Sequence, residues 1–366
     1  MKEGKSITVL TLDGGGTNFV FSAVRDYEQI GEPITLPSQA DDLHKCLGTI
    51  NSGFDQLAEQ IGQYDAISFA FPGPADYHLG LIGNLPNFRA FNGGVPLGPM
   101  LHERFKVPVF INNDGNLFAS GVALAGYLPS LNSRLAEAGS LKRFRNLIGI
   151  TLGTGFGCGI VTDGKLLVGD NSSGAEIHNS LNPFNPKWNA EESVSTKAIQ
   201  RVYAREAGRE MDDSLMPKDI YDIAKGLIEG DIAAAHTAFS SYGSSLGGSI
   251  ANVLTMIDGI VVIGGGLSGS WDLFSPSMFS EINRKMENYQ GQESDRLSFK
   301  VFDLEDPSSF NEFAKGAVKK IPVPGSQNFV DYDDLPRTGI ALSKLGGSLA
   351  TALGAYAFAE QKLKNS

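Results

Sequence analysis

The sequence predicts a two-lobed α/β protein whose second lobe repeats the design of the first. The opening run, SITVLTL followed by DGGGTN and FVFSAV, reads as a strand, a tight glycine turn and a second strand. The run Leu147 to Val161, LIGITLGTGFGCGIV, repeats that order around its own glycine turn. A length of 366 residues also exceeds what one small core needs.

The elements follow in order. Residues Ser6 to Leu12 form the first strand of an N-terminal hairpin. Asp41 is placed to cap a helix whose apolar positions Leu43, Leu47, Ile50, Phe54, Leu57 and Ile61 form one stripe that packs on a sheet. The run AISFAF is a strand that ends at Pro72-Gly73-Pro74, and Val107 to Ile111 is a strand that leads into Asn112-Asn113-Asp114 and an Ala/Leu-rich helix. Ser130 to Asn146, polar and without clear period, reads as an inserted surface loop or short helix, with Arg134, Lys142, Arg143 and Arg145 on a solvated face. After the second hairpin and an Asp163-Gly164 turn come a long helix from about Ile232 to Ile257, the short strand in GIVVIGGGLSG, and a terminal helix over Gly346 to Leu363. The expected division is an N-terminal lobe over 1–118, a C-terminal lobe over 119–345, and a terminal helix over 346–366 returning to the N-terminal lobe.

Composition narrows the function. A formal net charge of −11 with no compensating basic block repels phosphate backbones, so nucleic acid is not an expected partner. Cys46 and Cys158, the two cysteines, are too few for a disulfide framework or a thiolate metal site, which fits a reducing cytoplasm. No run reaches the roughly 18 apolar residues of a membrane helix.

Three glycine clusters carry the chemistry. In Asp13-Gly14-Gly15-Gly16-Thr17-Asn18 the glycines let backbone N–H groups approach a phosphate, Thr17 adds a hydroxyl, and the Asp13 carboxylate suits Mg²⁺ bound through water. The rival reading is a plain hairpin turn. Gly153-Thr154-Gly155 tips the balance, because two such turns can grip one polyphosphate; no Walker motif is present. The third cluster, Gly264-Gly265-Gly266-Leu267-Ser268-Gly269, matches GxGxxG after a strand and so raises a dinucleotide-binding alternative. Its late position favours instead a flat surface against adenine, with Gly265 at the point of closest approach; close helix–strand packing is the competing account. Asp114 serves either as a base for a sugar hydroxyl or as a helix cap. Asn84, Asn113, Glu176, His178 and Glu191 supply polar groups of the kind a polyhydroxylated ligand needs.

The order of these motifs resembles that of the ROK family (repressor, open reading frame, kinase) of the actin- and hexokinase-like superfamily, over nearly the whole chain. DGGGTN resembles the family's first phosphate motif, FPGPAD with NLPNF its sugar loop, NNDGN its catalytic Asn-Asp turn, TLGTGFGCGIVTDGKLLVG its second phosphate hairpin, and VVIGGG its adenosine turn. The resemblance implies a two-lobed actin-like ATPase (ribonuclease H-like) fold, ATP and Mg²⁺ as cofactors, and phosphorylation of a hexose of the glucose, N-acetylhexosamine, mannose or fructose type. It implies Asp114 as general base, Asp13 serving Mg²⁺, Asn84, Asn113, Asp114, Glu176 and Glu191 on the sugar, and a homodimer.

One segment departs from the family pattern. GAEIHNSLNPFNPKWNAEE lacks the cysteines of the family's zinc site and spaces Glu176 and His178 by two, leaving Asn179 in the register of the family histidine. No zinc is expected, with Pro183, Phe184, Pro186 and Trp188 packing the loop instead and His178 offered to the sugar. The phosphate motif begins at residue 13, so no DNA-binding domain is expected ahead of it. The alternatives are a sugar-binding sensor of the same fold that has lost the chemistry and, further off, an NAD(P)-dependent oxidoreductase using Gly264 to Gly269.

Overall fold

Alternation along the first strand sets the plan of the first half of the molecule. In the computed structural model, which describes residues 6–14, 17–83, 85, 91–182 and 184–364, strand β1 (Thr8–Gly14) sends Leu10 and Leu12 into one core and Val9 into another on the opposite face. It turns into β2 (Asn18–Arg25), which pairs with β3 (Glu28–Pro37). Helix α1 (Leu43–Ile61) covers one face with Ile50, Phe54 and Leu57, and the Phe54 ring meets that of Phe21 edge-on at 5.1 Å. Its cap is Asp42, whose side chain accepts from Lys45 N at 3.1 Å, rather than Asp41; the residue directly before Leu43 is the one whose side chain meets that amide.

Beyond α1 come β4 (Ala66–Ala70), the short pair β5 (Ala75–Asp76) and β6 (Leu81–Ile82), α2 (Leu97–Phe105), β7 (Val109–Asn112), α3 (Asp114–Leu124) and α4 (Tyr127–Glu137). The sheet order is β3-β2-β1-β4-β7, with β1, β4 and β7 mutually parallel. The register aligns Asp13 with Ala70 and Ala70 with Asn112, so the C-terminal ends of three parallel strands form one row.

The later elements are β8 (Leu147–Leu152), β9 (Phe156–Thr162), β10 (Lys165–Leu166), α5 (Thr196–Glu206), α6 (Pro217–Ala224), α7 (Ile232–Met256), β11 (Ile260–Gly264), α8 (Trp271–Ile282), β12 (Lys285–Glu287), β13 (Glu293–Asp295), β14 (Lys300–Asp303), α9 (Pro307–Lys315), β15 (Val318–Pro322), β16 (Phe329–Asp333), β17 (Arg337–Leu342) and α10 (Gly347–Lys364). Their main sheet has the order β10-β9-β8-β11-β17-β14, again an antiparallel trio followed by parallel strands. The duplicated hairpin design read from the two glycine turns is present in the strand orders.

The chain divides into two units: Met1–Pro129, Gly159–Ala175 and Lys344–Ser366 form one, and Ser130–Cys158 with Glu176–Ser343 the other. In the first unit, α10 lies on the sheet face opposite α1, where Tyr356 and Ala359 join Val9, Val24 and Ala66 in one core. It meets α3 almost backbone to backbone. A Cβ on Gly354 would lie 1.8 Å from the Leu117 carbonyl oxygen, and one on Gly121 2.0 Å from that of Ala350.

In the second unit, α7 packs on α8 by the same device, since a Cβ on Gly243 would fall 2.2 Å from the Phe274 oxygen. The stretch from Ser130 to Asn146 is the continuation of α4 and a tied return, not a loose insertion. Leu131 and Leu135 are buried, Asn132 exchanges two hydrogen bonds with the Phe144 backbone, and the exposed Arg134 rests its guanidinium 3.8 Å from the centre of the Phe310 ring. Among the described residues no helix is long and apolar enough to cross a membrane.

Candidate active site

The row of strand ends in the first unit gathers two of the predicted chemical groups. Asp13, half-buried at the end of β1, pairs in register with Val20 across the hairpin and with Ala70 on β4. Thr17 and Asn18 lie exposed on the far side of the turn, whose two central glycines, Gly15 and Gly16, fall outside the described residues. Asn84 of the sugar loop also falls outside them. Next along the row, β7 ends at Asn112 and α3 begins. The helix cap is Asn113, whose Oδ1 accepts from Asn116 N at 2.7 Å. Asp114 is therefore the first helical residue and not the cap. It is exposed, one of its carboxylate oxygens accepts from Gly115 N at 2.9 Å, and the helix N-terminus favours its negative charge.

Beneath this turn lies a residue the sequence reading passed over. Asn112 is fully buried, and its Oδ1 accepts both from Asn113 N and from Asn116 Nδ2, each at 2.9 Å. It ties the start of α3 to the end of β7. Its membership of the Asn112-Asn113-Asp114 run was the available signal, but burial is what identifies the role.

The second unit holds the other candidates. Gly153-Thr154-Gly155 joins β8 to β9, with Thr154 exposed and open space where a Gly153 Cβ would stand. The turn is braced from both sides. Thr196 N and Oγ1 both donate to the Gly153 oxygen, at 3.0 and 3.1 Å, and Phe156 N donates to Glu191 Oε2 at 2.9 Å. A Cβ on Gly155 would sit 2.8 Å from that same carboxylate oxygen. Glu191 thus holds the turn as well as being a sugar-contact candidate, and Thr196 was not foreseen.

Glu176, His178 and Glu191 come together. His178 Nδ1 lies 3.0 Å from Glu176 Oε2, and that hydrogen bond raises the imidazole pKa from its ordinary value; partial burial opposes the shift, while the charges of Glu176 and Glu191 reinforce it.

The loop that departs from the family's zinc pattern is closed by an amide. Asn182 Nδ2 donates to Asn189 O and Ser193 Oγ, and its Oδ1 accepts from Phe184 N and Asn185 N. Phe184 and Trp188 do not pack the loop's interior: they are 59% and 41% exposed, and Trp188 is covered by the Arg201 guanidinium. Pro183 lies outside the described residues. Among the described residues no cluster of three or more His, Cys, Asp or Glu side chains has a metal-binding arrangement.

The third glycine cluster divides into two kinds of position. Gly264 pairs with Thr151 of β8. Gly265 has φ +89°, and a Cβ there would lie 2.3 Å from the Leu152 oxygen, so packing of the turn against β8 accounts for this glycine. Gly266 meets nothing within 4 Å and presents an open backbone surface. A cavity of about 680 Å³ between α5, α7 and the Phe184–Trp188 loop contains none of the predicted site residues.

The raised pKa of His178 has a sign. The Glu176 interaction stabilises the fold while His178 is protonated, fully below the ordinary histidine value of about 6.5, and is lost as pH rises through the raised value. An NMR titration should show His178 with a midpoint above the ordinary histidine value, and Glu176→Gln should bring it down. An unchanged midpoint in the variant contradicts the pairing.

Residues 9–306 match the profile of the ROK family. The glucokinase of Halalkalibacterium halodurans is 31% identical over 304 residues, covering 76% of this chain and 84% of that protein. The N-acetyl-D-glucosamine kinase of Vibrio parahaemolyticus is 27% identical over 299 residues, 76% of this chain and 88% of its own. The crystal structure of a glucokinase from Parabacteroides distasonis superposes with a TM-score of 0.88 at 47% identity over 99% of each chain. With a match that spans most of its length, the chain belongs to the ROK family.

Proposed function

We propose that this protein is an ATP-dependent hexose kinase in which Asp114 is the general base. The observation that carries the reading is the division of labour at the start of α3: Asn113 caps the helix, so Asp114 occupies the next position without that structural duty. The names of the relatives, glucokinases and N-acetylglucosamine kinases, support the same substrate class.

The residues present fit a nucleotide and its metal. Thr17 and Thr154 are exposed hydroxyls on glycine turns, and the open backbones of Gly153 and Gly266 leave room for close approach. Bound MgATP supplies the transferable phosphoryl group and the charge neutralisation that its transfer requires. Asp13 is the residue that would hold Mg²⁺ through water. The Asp114 carboxylate, oriented by Gly115 N, takes the proton of the attacking sugar hydroxyl. Asn84, Asn113, Glu176, His178 and Glu191 bind the remaining hydroxyls, and binding in a fixed pose supplies much of the rate. The protein acts in the cytoplasm as a homodimer.

A sugar-binding sensor of the same fold does not need a carboxylate both at Asp13 and at Asp114. The relatives' names, glucokinase and N-acetyl-D-glucosamine kinase, favour the kinase reading over the oxidoreductase alternative.

Two substitutions test the roles. Asp114→Asn keeps size and the Asn113 cap, so it should melt as wild type while turnover falls about 10²- to 10⁴-fold. That loss corresponds to roughly 3 to 5 kcal/mol of barrier. A normally folded variant with more than about a tenth of wild-type turnover removes Asp114 from the role of base.

In the adenosine turn, Gly266→Val should leave the melting temperature unchanged and weaken ATP binding, measured by calorimetry, while hexose binding holds. Gly265→Val should instead destabilise the protein by about 1–3 kcal/mol or more through the clash with β8. Normal ATP affinity in Gly266→Val takes that surface away from the nucleotide.

A further inference from the structure

The start of α3 is closely packed on two sides. Opposite its first turns lies Gly159 of β9, in the same unit. A Cβ there would stand 2.5 Å from the Gly115 oxygen, 2.7 Å from Ala119 Cβ and 2.8 Å from Asn116 Cα. Real Cβ atoms do not approach backbone oxygens so closely, so even an alanine at 159 forces something to move. Gly115 and Asn116 are the two residues that follow Asp114.

Retreat is blocked elsewhere. On the α10 side, Gly354 and Gly121 already bring the two helix backbones to contact, with added Cβ atoms 1.8 Å and 2.0 Å from facing carbonyl oxygens. At its end, the helix is tied to β7 by Asn112, whose Oδ1 holds both Asn113 N and Asn116 Nδ2. The first turn of α3 thus sits on a glycine seat, against a glycine-lined helix and over a buried amide.

We infer that Gly159 is a positioning residue for the reaction: its missing side chain sets where the α3 N-terminus, and with it the Asp114 carboxylate, comes to rest. This rests on the reading of Asp114 as base. A displaced carboxylate retains its charge and loses its alignment with the hydroxyl, a loss that falls on turnover rather than on binding. Were β9 to yield instead, the Gly153–Gly155 turn four residues before Gly159 would shift, and ATP binding would suffer.

The test is a double-mutant cycle of Gly159→Ala and Asp114→Asn on the full chain, with kcat, both KM values and melting temperature measured for all four proteins. Gly159→Ala alone should lower kcat by about tenfold or more with KM for ATP within about twofold of wild type. In the Asp114→Asn background the same change should lower kcat by less than about twofold, because the base it misplaces is already gone.

Equal fractional losses in both backgrounds, a loss confined to KM for ATP, or wild-type kcat in Gly159→Ala each overturns the inference. Those results leave Asp114 as base if Asp114→Asn alone is slow. If Asp114→Asn alone is fast, the functional reading fails and the inference with it. Should Gly159→Ala not fold, Asn112→Ala takes its place in the cycle. It removes the acceptor that ties α3 to β7 without adding bulk, and the same non-additive pattern is expected.

Discussion

Helix α3 is held by backbone contacts on two sides, and the geometry of the first unit follows from them. Gly354 of α10 and Gly159 of β9 have no side chains because Leu117 and Gly115 carbonyl oxygens occupy that space. Close-packed interiors resist displacement in every direction, so the helix has one resting place relative to β7. Asn112 fixes its axial position through two hydrogen bonds accepted by a single buried amide oxygen. The row formed by Asp13, Ala70 and Asn112 then sets the magnesium candidate and the base-bearing turn on the ends of parallel strands separated by a single strand.

The second unit solves a similar problem with side chains. Its glycine turn has open space where a Gly153 Cβ would stand, while Thr196 holds the Gly153 oxygen and the Glu191 carboxylate holds Phe156 N. Glu191 is within reach of the charge on His178, which Glu176 holds by hydrogen bond. The turn and the polar cluster are therefore one connected arrangement, and a change in the loop that carries Glu191 reaches the phosphate candidate directly. Where the family pattern has zinc, the four hydrogen bonds of Asn182 close the loop.

Much of this was legible in the sequence because its signals are local. A strand, glycine turn and strand can be read from a dozen consecutive residues, and so can the Asn-Asp turn after β7; both hairpins and the start of α3 lie where those patterns put them. What escaped depends on contacts between distant segments. Gly265 and Gly266 look alike in sequence, and only the approach of Leu152, more than a hundred residues away, assigns one to packing and leaves the other open. The stretch after Ser130 seemed aperiodic because its polar residues hide Leu131 and Leu135, and Phe310, which receives Arg134, comes far later. The choice between Asp41 and Asp42 as cap is a matter of one residue, which neighbouring aspartates cannot settle by composition.

The central claim is that this protein moves a phosphoryl group from ATP to a sugar hydroxyl. Phosphorus NMR of the purified protein with ATP, Mg²⁺ and, separately, glucose, N-acetylglucosamine, N-acetylmannosamine, mannose and fructose measures that directly. The account predicts, for at least one of these hexoses, a sugar phosphate monoester resonance that grows in step with ADP and requires Mg²⁺. ATP that stays intact with every hexose, or that yields only inorganic phosphate, contradicts it.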